Sequence, residues 1–409
     1  MPHEGLNSTT FFWLILITFV VAMLARGLKI PYTLTLVITG LGIGLTRLLP
    51  QLHLQPSLLL TVFLPPLLFE TAINLPLEAL RKDWKPIAAL AFAGTILSTL
   101  IVAGVTSRLL GMPLPVTLVF GSLICITDPI AVISVFKSLN AGKRLTLIIE
   151  AESLFNDGVG VVLFTVFLAL AAGTKVSFPM AALQFFTLMG GGVLLGIAIG
   201  AIASRIHFSV DDHLIEITLT TVVAFGAYLS AESLHVSGVM AVVAAGIVLR
   251  NYGMESGMSE KTRFAISSFW EYAAFLVNSF VFLLIGIEVV FVQWQDKFFA
   301  ALCAIIAVFI GRLVVYPISW LMNRFNADIP LSWQHVLNWG GLRGALSMAL
   351  VLTLNPNFPY RSTLIAMTFG AVVFSLLAQG VSIGALLKRL GLSGNDENTA
   401  CDVTLKRVD

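Results

Sequence analysis

Apolar runs follow one another along this chain with so few polar breaks that little is left to form anything but helices in a lipid bilayer. They are about 17–28 residues long and fall at roughly 11–28, 31–49, 57–75, 86–110, 114–137, 145–172, 180–205, 214–232, 236–250, 265–292, 297–325, 331–353 and 361–388. A helix rising 1.5 Å per residue crosses a hydrocarbon core of about 30 Å in such a length. Backbone groups in hydrocarbon must bond within their own segment, so the expectation is an all-α integral membrane protein of about thirteen transmembrane helices. Composition agrees: 57% of the 409 residues are hydrophobic and 11% charged, against about 25% charged in soluble domains. No long stretch has the charge density of a soluble domain. A single membrane domain over 1–390 is expected, with 391–409 a short polar tail. The first run has only His3 and Glu4 before it as ionisable side chains, so it reads as a retained helix rather than a cleaved signal.

Lysine and arginine set the orientation. With the N-terminus outside, seventeen of the 24 fall in inner loops and the tail, from Arg26 and Lys29 to Lys406 and Arg407. The outer loops then hold Arg47, Arg108, Lys175, Lys297 and Arg361, while Arg312 and Arg343 lie inside runs. The reading is a multi-pass protein of the cell (inner) membrane, N-terminus outside and C-terminus cytoplasmic. The net charge of +2 is spread through short loops, so nucleic acid is not an expected partner. Cys125 and Cys303 in apolar runs and Cys401 in the tail fit no metal or disulfide spacing and read as small buried side chains.

A charge at the bilayer centre costs about 2.5–3.5 kcal/mol, so an ionisable residue deep in a run needs a function or a partner. The candidates are Glu70 in the third run, Asp128 in the fifth, Glu152 and Asp157 in the sixth, Glu288 near the end of the tenth, Arg312 in the eleventh and Arg343 in the twelfth. Glu288, close to a helix end, reads as a structural or interfacial residue. In Glu150-Ala-Glu-Ser-Leu-Phe-Asn-Asp-Gly158 the pairs Glu152/Asn156 and Ser153/Asp157 are each four apart, which puts four oxygen-bearing side chains on one strip of helix. Carboxylate, amide and hydroxyl oxygens suit a small hard cation, and Asp157 can hold a proton instead. Asn-Asp-Gly is also a turn signal, but the apolar sequence on both sides argues for helix.

Two runs carry defects. Thr127-Asp-Pro129 interrupts the fifth, because proline lacks a donor and clashes with the preceding turn. Trp339-Gly-Gly-Leu-Arg-Gly344 interrupts the twelfth. If helices 1–6 repeat as helices 8–13, these defects correspond, and paired interrupted helices point to a transporter's site. Asp128 at one break would neutralise exposed helix N-termini and Arg343 would complement exposed carbonyls, a structural role for Asp128, Pro129 and Arg343.

The motifs resemble those of the sodium/proton exchangers, the NhaP-type bacterial antiporters and their animal relatives. The matching stretches are Phe-Leu-Pro-Pro-Leu-Leu-Phe-Glu70, Thr-Asp-Pro-Ile-Ala-Val132, Glu-Ser-Leu-Phe-Asn-Asp157, Phe-Leu-Leu-Ile-Gly286, Gly-Arg312 and Gly-Gly-Leu-Arg-Gly344, in family order across about 10–390. The resemblance implies inverted repeats with crossed, unwound helices 5 and 12. It also implies a homodimer, its mobile core drawn from parts of 57–172 and 265–353 and its dimerisation part including helices 1, 2, 8 and 9. Asp157 resembles the ion- and proton-binding carboxylate, and Asn156 the neighbour that accompanies electroneutral exchange. Thr127 and Ser153 resemble Na⁺ ligands alongside Asp157, and Glu152 resembles the partner of Arg312. Glu70 resembles a carboxylate near the site in bacterial members. Regulation by a soluble C-terminal domain is not expected, and a role in pH homeostasis is.

The implied activity is one-for-one exchange of Na⁺, or Li⁺, for H⁺. A K⁺/H⁺ or mixed-cation antiporter would use the same side chains, so the sequence leaves that choice open. A cation channel would not need mirrored helix breaks. An enzyme would need catalytic groups at depth, whereas His3, His53, His207, His213, His235 and His335 all read as helix ends or loops, with His207 or His213 at most modulating pH response. No enzymatic activity and no cofactor are expected beyond the transported ions.

Overall fold

The computed structural model describes residues 8–28, 32–46, 59–173, 177–207, 212–254, 258–292 and 294–394. His3, Lys29, Arg47, His53, Lys175, Cys401, Lys406, Arg407 and the tail beyond Gly394 lie outside these residues. The described residues contain no strand, and each apolar run is occupied by helix. In order these are α1 (Ser8–Leu28), α2 (Tyr32–Thr46), α3 (Leu64–Asn74, entered by a π turn, Leu59–Phe63) and α4 (Trp84–Leu110). The fifth run is two helices, α5a (Leu114–Ile124) and α5b (Ile130–Leu139). Next come α6 (Lys143–Ala171), α7 (Phe178–His207), α8 (His213–Ser233), α9 (Gly238–Met254) and α10 (Glu260–Phe291). The eleventh run gives α11a (Phe298–Arg312) and α11b (Val315–Asn323), the twelfth α12a (Leu331–Trp339) and α12b (Ala345–Leu352), and the last is α13 (Arg361–Arg389). Seven of the described helical stretches are long and apolar enough to cross a membrane, the interrupted α11 among them, and several others are shorter and apolar.

Local chemistry sets several boundaries. Pro65 and Pro66 fall in the first turn of α3, where a missing N–H costs no intrahelical bond. The break between α11a and α11b was not anticipated, although Pro317 signals it. Proline cannot donate to the Leu313 carbonyl one turn back, and the Ser98 hydroxyl donates to the Gly311 carbonyl at 2.8 Å. Also unexpected are a short helix, Leu77–Lys82, in the loop before α4, and π turns within α4, α9 and α13. His335 lies in the second turn of α12a, with its Nδ1 2.9 Å from Tyr316 Oη, rather than at a helix end, and His207 is a helix end but wholly buried beside Glu216.

Small residues bring backbones together, as is common where lipid removes the hydrophobic drive for association. A Cβ at Gly40 of α2 would lie 2.1 Å from the Leu283 carbonyl of α10, and one at Gly286 2.2 Å from the Val37 carbonyl. Gly192, Gly196 and Gly200, spaced by four on α7, rest in the same way on the Ser237, Ala241 and Ala245 carbonyls of α9. By contrast α6 meets α9 through a side chain, Met240 Sδ filling the space above Gly158. The two breaks sit where two apolar clusters meet. Ala131, Val132, Leu337 and Leu342 belong to one, and Cys125, Ile126, Ala345 and Met348 to the other.

Candidate functional site

The polar strip on α6 divides among three partners. Glu152 is 1% exposed and pairs bidentately with Arg312, Nη1 to Oε1 at 2.7 Å and Nη2 to Oε2 at 3.1 Å. Asn156, fully buried, closes a two-point contact with Thr127: its Oδ1 accepts from the Thr127 N–H at 3.2 Å and its Nδ2 donates to Thr127 Oγ1 at 2.6 Å. The Ser153 and Thr127 hydroxyls are 3.0 Å apart. Asp157 alone turns to open space, half-buried, and among the described residues no hydrogen bond or ion pair engages its carboxylate.

The breaks touch each other. The Asp128 N–H donates to the Leu342 carbonyl at 2.8 Å, and the Ser347 hydroxyl to the Leu123 carbonyl at 2.7 Å. Where α5a and α12a stop, their last carbonyls lack intrahelical partners. Arg343, 1% exposed, donates through Nη1 to the Cys125 and Ile126 carbonyls at 2.9 and 3.3 Å. Arg312 donates to the Leu337 carbonyl of α12a from Nε at 3.2 Å and Nη2 at 2.8 Å. Where α5b starts, Asp128 Oδ1 accepts from the Ile130 N–H at 3.0 Å. The same carboxyl lies against Gly344, the residue before α12b, so closely that a Cβ there would stand 2.3 Å from it. One carboxylate thus caps the start of α5b and stands beside the positive start of α12b, with no hydrogen bond to the latter among the described residues.

A cavity of about 70 Å³ opens between α3, the two breaks, α6 and α10, large enough for several waters or a partly hydrated ion. Its polar lining is Thr71, Thr127, Asp128 and Asp157; Leu67, Val281, Gly344, Ala345 and other apolar groups complete it. Of the residues named from sequence for the cation, Asp157 and Thr127 therefore face the cavity, whereas Asn156 and Ser153 stand behind Thr127 and hold it.

The transmembrane sodium/hydrogen exchanger family matches residues 15–389. The chain belongs to that family. It is 37% identical over 399 residues to the Na⁺/H⁺ antiporter NhaG of Bacillus atrophaeus, covering 94% of this chain and 75% of that one. It is 41% identical over 371 residues to the antiporter ApNhaP of Aphanothece halophytica, covering 90% and 71%. In fold it is similar to the sodium proton antiporter MjNhaP1 of Methanocaldococcus jannaschii, with a TM-score of 0.77, 22% identity and coverage of 93% and 97%.

In this exchanger-family chain Glu70 does not line the cavity. Its Oε1 accepts from Asn74 Nδ2 at 2.9 Å and its Oε2 from the hydroxyl of the cavity-lining Thr71 at 3.4 Å. Glu288 is half-buried near the end of α10. Sequence reasoning missed the hold of Arg312 on α12a and the Ser347 bond. Gly341, with no side chain between it and the Arg312 guanidinium, is the one local hint of the former.

Proposed function

We propose that this chain is a secondary antiporter that exchanges Na⁺ for H⁺, with Asp157 as the shared site. The observation that carries the reading is a carboxylate without a hydrogen-bond or ion-pair partner among the described residues, at the wall of a cavity bounded by two broken helices. A lone charge in such a place is costly unless an ion neutralises it. Either Na⁺ or a proton does so, and the two compete for one group. A site that moves only when neutralised couples the two flows. Glu152 and Arg312 cancel each other's charge and hold the surrounding helices. Asn156 adds no charge, so one Na⁺ exchanges for one H⁺ and the membrane potential does no work on the cycle. Thr127 supplies oxygen to the cation, and Ser153 and Asn156 fix Thr127. Li⁺ fits the same set of oxygens. The protein works as a homodimer in the cell membrane, N-terminus outside, joined through α1, α2, α8 and α9.

Proteoliposomes carrying a pH dye test this directly. Na⁺, Li⁺ and K⁺ are added separately, with and without an imposed potential. Asp157→Asn should reduce Na⁺-driven proton movement to the background of empty vesicles, and retained activity would remove Asp157 from the mechanism. A potential applied without ion gradients should drive no net transport; if it does, the one-for-one ratio is wrong. A response to K⁺ but not Na⁺ would change the substrate and leave the site.

A further inference from the structure

Asn278, midway along α10, is 7% exposed, and among the described residues its Oδ1 has no hydrogen-bond partner. Buried amide carbonyls are nearly always bonded, and an exception calls for a reason. The neighbouring residues have theirs. The Ser279 hydroxyl meets Tyr32 Oη at 2.7 Å on the α2 side, and Val281, one turn along the same face from Asn278, lines the Asp157 cavity. Helix α10 packs on α3 through the Phe69 and Trp270 rings, 4.7 Å apart. Across the seam Thr71 of α3 lines the cavity too. The next positions outward are Glu70 on α3 and Glu271 on α10, near enough for their charges to interact. Glu271 is exposed, Glu70 half-buried and Asn278 buried, so oxygen-bearing side chains of decreasing exposure lead along α3 and α10 toward the turn of Val281.

We propose that Asn278 is a cation-binding residue on the approach to Asp157, its amide oxygen replacing a water of a small monovalent cation that passes between α3 and α10. The inference rests on Asp157 being the carrier. A neutral oxygen suits this place. It helps the ion shed water, as carbonyl oxygens do in selective pores, yet does not compete with Asp157 as a second carboxylate would.

The test is the Na⁺ dependence of proton movement in proteoliposomes for wild type, Asn278→Leu, Asn278→Asp and Asp157→Asn. Leucine matches the shape of asparagine and leaves no polar group unbonded. Asn278→Leu should raise the apparent KM for Na⁺ about five- to tenfold, the size of one polar contact, with maximal rate little changed and thermal stability equal or higher. A purely structural role predicts the reverse: lower stability and rate with an unchanged KM, and that result overturns the proposal. Asn278→Asp should lower the KM as pH rises; if it keeps the wild-type KM at every pH, the proposal fails even where the leucine variant does not fold. Activity retained by Asp157→Asn would instead overturn the carrier reading. Activity lost there, with wild-type KM in both Asn278 variants, overturns only the role of Asn278.

Discussion

The α5 and α12 interruptions are the same defect resolved in two ways. At each, an arginine from elsewhere holds the carbonyls of the first half-helix, Arg343 for α5a and Arg312 for α12a. Asp128 stands at the start of both second halves. The difference lies in what reaches the cavity. The α5 break contributes Thr127 and Asp128, while the α12 break contributes Gly344 and Ala345 and sends its one charged side chain away to α5a. Broken helices at depth thus do two jobs. One presents polar side chains to the cavity, and the other supplies a backbone thin enough for the first to pack upon it.

The comparison can be broken by weakening each hold in turn and measuring thermal unfolding of the purified protein in detergent. Glu152→Ala should cost most, about 3–5 kcal/mol, because it strands Arg312 in a buried position and loosens its grip on the Leu337 carbonyl. Arg343→Met should follow at about 2–3 kcal/mol, the loss of two carbonyl bonds to a charged donor. Were it to cost less than Ser347→Ala, the two arginines would not be equivalent clasps. Ser347→Ala, which removes one neutral bond to the Leu123 carbonyl, should cost about 1 kcal/mol and sets the scale for direct contact between the breaks.

Much of this was legible in the sequence where the cause is local. Pro129 and the glycines at 340, 341 and 344 act on their own turns, so both breaks were placed within a few residues. Apolar length placed the helices. The strip on α6 was legible as a strip, but its division was not, because side chains four apart share a face without sharing a partner. Glu152, Asn156 and Asp157 face Arg312, Thr127 and the cavity, and those partners lie far away in the chain. Pro317 shows the opposite failure. Its signal was present and local, but it was hidden in an apolar run long enough to seem continuous. The Arg312 bond to Leu337 and the orphan carbonyl of Asn278 depend on tertiary packing; Gly341 is the one local mark of the first, and the second has none.

The helix contacts described above also differ mechanically. Between α2 and α10, and between α7 and α9, backbone lies directly on backbone, so any sliding drives one main chain into another; these seams act as welds. The seam that carries Asp157 is of another kind. At Gly158 the α9 atoms nearest to a Cβ are those of the Met240 side chain, unbranched and turning about three bonds, with Val239 Cγ1 next at 3.8 Å. A shift of α6 against α9 at this point meets a side chain that can change rotamer rather than a carbonyl, so the turn next to Asp157 rests on a bearing where those two seams are welded.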